Sequence, residues 1–271
     1  MPVVTESSIT AYLEEQLAER IMLLDGSMGA LILAGKPDDA FFRGERFRSH
    51  PYELKNCTAA LVLTQPELVE DIHRQYVQAG ADILCTNTFI AEAVSLADFG
   101  LSEHVYEINR KAAELCRRVA DEANAVDTRR RRLVAGSIGP MNRALSISPD
   151  VNNPGARGVT YDEVVEAYAE QVRGLVDGGV DILLPETCFD TLNMKACLFA
   201  ISRYFEQTGR SLPVMVSVTI FENGGNLTGQ NVEAFWTSVS HFPMFSVGLN
   251  CGVGPAQMRA HIETLSAVTD R

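Results

Sequence analysis

The sequence predicts an α/β fold in which parallel strands, each followed by a helix, close into a barrel. Three observations predict it. Short apolar runs recur that are too continuous for strands with one wet face, amphipathic helical stretches lie between most of them, and 271 residues with 46% apolar content suit one barrel domain. No G-x-G-x-x-G follows the first strand and no G-K-[ST] phosphate loop occurs, which disfavours an open nucleotide-binding sheet. No linker or composition change divides residues 1–271, so a single domain is expected.

The elements follow in order. "IMLLD" (21–25) reads as the first buried strand, running into the glycine-rich turn "GSMG". "PELVEDIHRQYVQAG" opens with Pro66 and closes on Gly80, as helix start and stop rules require. "ADILCTNTF" is the second strand. A helical pattern then ends near Ala125, and Arg129 to Arg132 read as a solvated loop before the third strand, "RLVAGSIG". "GSIGPMNRALSISPDVNNPGARG" is a polar loop longer than ordinary strand-to-helix connections, the kind that carries function. "TYDEVVEAYAEQVRGLVDGG" opens at Thr160 with acidic residues in its first turn. "VDILLPET", "VMVSVTI" and "FSVGLNC" complete six strands.

Charge and cysteine usage narrow the partners. A formal charge of −12 and a pI near 4.9 argue against nucleic acid or an anionic membrane surface, because phosphate binding needs clustered Lys and Arg. The N-terminus lacks a basic region followed by an apolar block, and "IMLLDGSMGALILAG" is shorter than the ~20 residues that span a bilayer. A cytoplasmic protein is expected. Its six cysteines lie far apart and read as reduced thiols.

Unusual residues collect at the strand ends, where a barrel of this kind carries its site. Asp25 is followed by Gly26 and Ser27: converging backbone N–H groups suit a carboxylate and the aspartate suits an ammonium group, or else the turn is merely tight and Asp25 caps the next segment. Asn87 can bond substrate or loop backbone. Glu186 ends an apolar run, so it needs a cation, either a protein Arg or a substrate amino group. Cys251 ends the sixth strand as a small hydrophobe, a metal ligand or a nucleophile; no C-x-x-C or H-E-x-x-H decides among these.

Seven segments, "LDGSMGA", "FRGERF", "AGADILCTNTF", "GPMNRALSISPDVNNP", "GGVDILLPETCFDTLNMKA", "LTGQNVEAF" and "GLNCGVGP", are similar in order and spacing to those of the N-terminal homocysteine-binding domain of cobalamin-dependent methionine synthase. "FRGERF" and "SISPDVNNP" resemble that enzyme rather than homocysteine methyltransferases using betaine or S-methylmethionine. The resemblance implies a (β/α)₈ TIM-type barrel, here apparently lacking its last two βα units. It implies a zinc-dependent homocysteine S-methyltransferase of methionine biosynthesis in which Cys251 is the first of three zinc-binding cysteines and the flanking glycines keep space open for metal and substrate. Asp25, Gly26, Ser27, Asn87 and Glu186 then bind homocysteine. The methyl group comes from methylcobalamin carried by a separate module, in the same or another chain.

Departures from the family's pattern are Ser27 in place of a second glycine, Cys85 in place of glutamate, Cys57 and Thr58 where the family carries G-N-N-D, and no adjacent cysteine pair. They motivate an alternative, a noncatalytic docking barrel that has lost its zinc. A third reading groups Cys85, Cys188 and Cys251, on alternate strands, as an unfamiliar metal site. With six strands, the first and sixth are expected to remain as open edges.

Overall fold

The computed structural model describes residues 6–270. Four helices, α1 (Glu6–Glu19), α2 (Met28–Ala34), α3 (Asp39–Arg43) and α4 (Leu61–Thr64), open the described residues. Thereafter the chain runs α5 (Pro66–Ala79), β1 (Ile83–Cys85), α6 (Ala93–Ala97), α7 (Val105–Val126), β2 (Leu133–Ile138), α8 (Tyr161–Asp177), β3 (Ile182–Pro185), α9 (Thr191–Thr208), β4 (Met215–Val218), α10 (Val232–Val239), β5 (Ser246–Leu249) and α11 (Pro255–Val268). Two predicted helices are bounded as their signals require. Pro66 opens α5 and Gly80 stops it at φ 103°, while Thr160 and Glu163 form a reciprocal capping box on α8.

All strand pairs are parallel and join neighbours in chain order. β1, β2 and β3 make one sheet and β4 with β5 another, linked by single bridges at Leu183–Val214 and Cys188–Val218. Prolines explain the seam: Pro185 ends β3 and Pro213 precedes β4, and neither can donate a ladder hydrogen bond. Strand residues alternate between two packed layers. Leu84, Val134, Ile138, Leu183, Val216 and Val218 pack outward with apolar faces of α7, α8, α9 and α10, while Ile83, Leu133, Ala135, Ile182 and Leu184 meet Ile9 and Leu13 of α1. Both faces are covered, which is why the strands read as continuous apolar runs.

Two expectations need correction. The described residues form an open arc of short parallel sheets rather than a closed barrel. The predicted first strand shrinks to one bridge, Leu24–Ile83, supported by Asp25 N–H to Ile83 O at 2.9 Å and Ile83 N–H to Leu23 O at 3.1 Å. The physical reason is one-sided pairing: Ile21, Leu23 and Leu24 remain 83%, 51% and 43% exposed, so nothing on their outer side enforces a regular strand.

The basic run is not a solvated loop either. Asp82, fully buried just before β1, accepts hydrogen bonds from Arg20 (2.8 and 3.0 Å), Arg130 (2.6 Å) and the Leu23 N–H (2.9 Å). Asp181, just before β3, takes Arg117 and the Val134 N–H, with Arg131 at 3.6 Å. Only Arg129 of the four is broadly exposed, at 88%. Buried carboxylates at the strand starts need cations, and this segment supplies them. Burial alone raises the Asp82 carboxyl, but the Arg20, Leu23 and Arg130 contacts prevail and hold it at about 2.

Asp82→Ala is expected to lower stability by about 3 kcal/mol at pH 7, because it strands converging guanidinium and N–H donors. Asp82 titrates lower folded than unfolded, so its contribution is present above pH ~4 and lost as pH falls toward 2. Denaturant midpoints across that window check both expectations; an unchanged midpoint at pH 7 contradicts them.

Candidate active site

The carboxylates at the other ends of the strands are in the opposite electrostatic situation. Asp25 follows the Leu24 bridge; its Oδ2 accepts the Cys85 N–H at 2.9 Å, while its buried Oδ1 has no hydrogen-bond partner. Burial lifts the Asp25 carboxyl to about 7, with the Glu186 charge adding and the Cys85 hydrogen bonds opposing. Asp25 therefore does not cap the next helix. Ser27 does, its Oγ accepting the Ala30 N–H at 3.2 Å. Tyr76 covers this turn: its hydroxyl donates to Ser27 O at 3.3 Å, and a Cβ on Gly26 would lie 2.8 Å from that hydroxyl oxygen, so the ring requires glycine at 26.

Glu186 stands just beyond β3. Its N–H bonds Ile138 O at 2.9 Å and its Oε1 accepts the Ser137 hydroxyl at 2.5 Å. Burial raises its carboxyl, and the Ser137 hydrogen bond only partly offsets this. Among the described residues no Lys, Arg or His pairs with Asp25 or Glu186. Cys85 lies between them electrostatically: burial first, then the Asp25 and Glu186 charges, push its thiol far up, so it stays protonated. Two largely enclosed carboxylates near one another, with no protein cation against either, are the kind of arrangement a cationic group would stabilise.

Asn250, at the end of β5, ties this cluster together. Its Oδ1 accepts the Thr187 N–H at 3.0 Å and the Ser217 hydroxyl at 2.7 Å; its Nδ2 lies 2.7 Å from Thr187 Oγ1, 3.3 Å from Cys251 Sγ and 3.4 Å from Glu186 Oε2. Cys251 is exposed at φ 57° beside it. Gly252 serves the backbone rather than an open space, since a Cβ there would lie 2.3 Å from Ile220 O. The sequence singled out Asp25, Glu186 and Cys251, and the structure sets all three around one set of strand ends. Asn87 donates to the loop carbonyl Thr58 O at 2.7 Å.

Sequence reading missed Tyr76, Ser137, Thr187, Ser217 and Asn250. For Asn250 a signal existed: a polar residue ending an apolar strand, next to Cys251. The long polar loop is anchored by Asp190 and Asn193, which accept Ser146 N–H (2.8 Å) and Leu145 N–H (2.9 Å). The proposed grouping of three strand cysteines does not form. Cys188 is buried and donates to Asp190 O at 3.4 Å, in the outer core rather than beside Cys251. Zinc fits poorly to what is described: no group of three His, Cys, Asp or Glu side chains among the described residues suits a metal ion, and Cys251 alone does not make a tetrahedral site.

A family model described as homocysteine S-methyltransferase matches residues 22–271. Among solved structures, the chain is similar to the homocysteine methyltransferase MmuM from Escherichia coli. In its metallated form the TM-score is 0.74 at 21% identity, covering 95% of this chain and 83% of that one. In its oxidized form the TM-score is 0.72 at 22% identity, covering 95% and 82%. These likenesses show a shared α/β fold. No helix among the described residues is long and apolar enough to cross a membrane.

Asp25→Asn is expected to stabilise the protein above neutral pH. The wild-type carboxyl binds a proton more tightly folded than unfolded, so wild-type stability falls as pH rises from about 4 to about 7 and then levels. The variant removes that loss, gaining on the order of 2 kcal/mol at pH 8 and little below pH 4. Parallel pH profiles of the two proteins in denaturant melts contradict this.

Proposed function

The chain belongs to the homocysteine S-methyltransferase family, and on that premise we propose that it binds homocysteine between Asp25 and Glu186 and presents the thiol for methylation. One observation carries the reading: two largely enclosed carboxylates, both shifted toward neutrality, lie near one another without a protein cation. The α-ammonium of an amino acid supplies the missing charge. The Gly26–Ser27 backbone, at the start of α2 where N–H groups lack intrahelical acceptors, suits the substrate carboxylate.

The chemistry then needs a free sulfur electron pair. Sulfur attacks the donor's methyl carbon, the S–C bond forms as the carbon–donor bond breaks, and the thiol proton is lost. Asp25 and Glu186 contribute by fixing the amino-acid end, which converts encounter with the methyl donor into an oriented reaction. The finer reading is that methylcobalamin on a separate module, of this or another chain, is the donor and that zinc at Cys251 belongs to the complete site. The segments "FRGERF" and "SISPDVNNP" support the cobalamin-dependent form. The described residues supply only Cys251 toward such a metal. A cytoplasmic setting accords with six cysteines carried as free thiols. A noncatalytic docking barrel is not favoured, since the family match spans the strand-end carboxylates as well as the framework.

Titration calorimetry with L-homocysteine tests the reading. The expected result is saturable binding, weakened at least tenfold in Asp25→Asn and in Glu186→Gln, and lost when the ligand lacks its amino group. Absence of binding at millimolar homocysteine contradicts it.

A further inference from the structure

Thr187 is β-branched yet adopts φ 60°, a left-handed conformation that costs such a residue of order 1–3 kcal/mol and persists only where its surroundings impose it. The neighbours Glu186 and Cys188 are held by backbone bonds to Ile138 O and Ser217 O, and Ser217 Oγ lies 3.3 Å from the Thr187 N–H. The closest side-chain grip is the Asn250 amide, whose Oδ1 accepts that N–H at 3.0 Å and whose Nδ2 donates to the Thr187 hydroxyl at 2.7 Å. The same amide is tied to β4 through the Ser217 hydroxyl, and the backbone N–H of Asn250 donates to Val218 O at 3.1 Å. Thr187 directly follows Glu186, so this turn sets where the Glu186 side chain points. Asn250 also reaches that side chain, with Nδ2 3.4 Å from Oε2 while Ser137 holds Oε1.

The grip needs a side chain that both donates and accepts at one planar end. Asp lacks the donors, an aliphatic residue lacks both functions, and Gln would displace the amide by one methylene. Two amide hydrogens face three acceptors, Thr187 Oγ1, Cys251 Sγ and Glu186 Oε2, with Thr187 nearest. The turn is therefore held first, and the carboxylate is steered chiefly through it.

We propose that Asn250 is a positioning residue of the amino-acid pocket, holding the Thr187 turn so that the Glu186 carboxylate faces the ligand's ammonium group. The proposal rests on the ammonium-site reading of Asp25 and Glu186 given above. Asn250 acts through Glu186, so its loss removes the binding that Glu186 provides and no more.

A double-mutant cycle read by calorimetry with L-homocysteine tests it, using wild type, Asn250→Ala, Glu186→Gln and the double variant, with thermal melts alongside. Asn250→Ala is expected to weaken binding about tenfold while the melting temperature moves by only a few degrees. The double variant is expected to bind no more weakly than Glu186→Gln alone. Should Asn250→Ala fail to fold, the neutral Asn250→Ser, which adds no charge beside Glu186, is expected to show the same non-additivity. Losses that multiply in the double variant, or wild-type affinity in Asn250→Ala, overturn the proposal and leave the ammonium site standing. Wild-type affinity in Glu186→Gln removes the ammonium site itself, and the proposal with it.

Discussion

The structure depends on where its buried carboxylates find counter-charges. At the strand starts, Asp82 is enclosed by Arg20 and Arg130 and titrates at about 2. At the strand ends, Asp25 has a backbone N–H but no cation and titrates at about 7. Both are aspartates at the ends of apolar strand segments, Asp82 fully buried and Asp25 partly so; what separates their titration is the neighbours, cations at one and none at the other. One end of the arc is electrostatically complete and holds α1, β1 and the segment before β2 in register. At the other end no protein cation offsets Asp25 or Glu186 among the described residues, and that unmet demand is the ground for the cation site proposed there.

Packing separates these two tasks. Helix α1 brings Ile9 and Leu13 against the inward faces of β1, β2 and β3 near their starts, and Tyr12 bonds the Arg131 carbonyl at 3.1 Å. Toward the other ends the inward positions turn polar: Cys85, Ser137, Glu186, Ser217 and Asn250. That change lets an apolar interior hold a polar site without a separate domain. Two non-glycine residues at positive φ, Thr187 and Cys251, lie at this polar end, where hydrogen bonds and close backbone approaches over-determine the chain.

Much of this was legible in the sequence, for local reasons. Continuous apolar runs identified five of the six expected strands, Pro66 with Gly80 and Thr160 with Glu163 bounded their helices, and Asp25, Glu186 and Cys251 were conspicuous because charged or reactive groups rarely end buried runs. What failed was non-local. Arg129 to Arg132 look like a solvated run until Asp82 and Asp181 are seen to need them. The contacts of Ser27 with the Ala30 N–H and of Asn87 with the Thr58 carbonyl are likewise invisible in the sequence. Asn250 gains its role from Thr187, 63 residues away. Barrel closure depends on what pairs with the outer edges of β5 and of the Leu24 segment, a relation no short stretch encodes.

The central claim is that the Asp25–Glu186 pocket is completed by a cationic ligand. Calorimetry of L-homocysteine binding at pH 6.5, repeated in buffers of different ionisation enthalpy, counts the protons exchanged on binding. An ammonium group seated against Asp25 drives its carboxyl to ionise, so the account predicts net release of roughly half to one proton per site. Binding with no proton exchange, or with uptake, would contradict it.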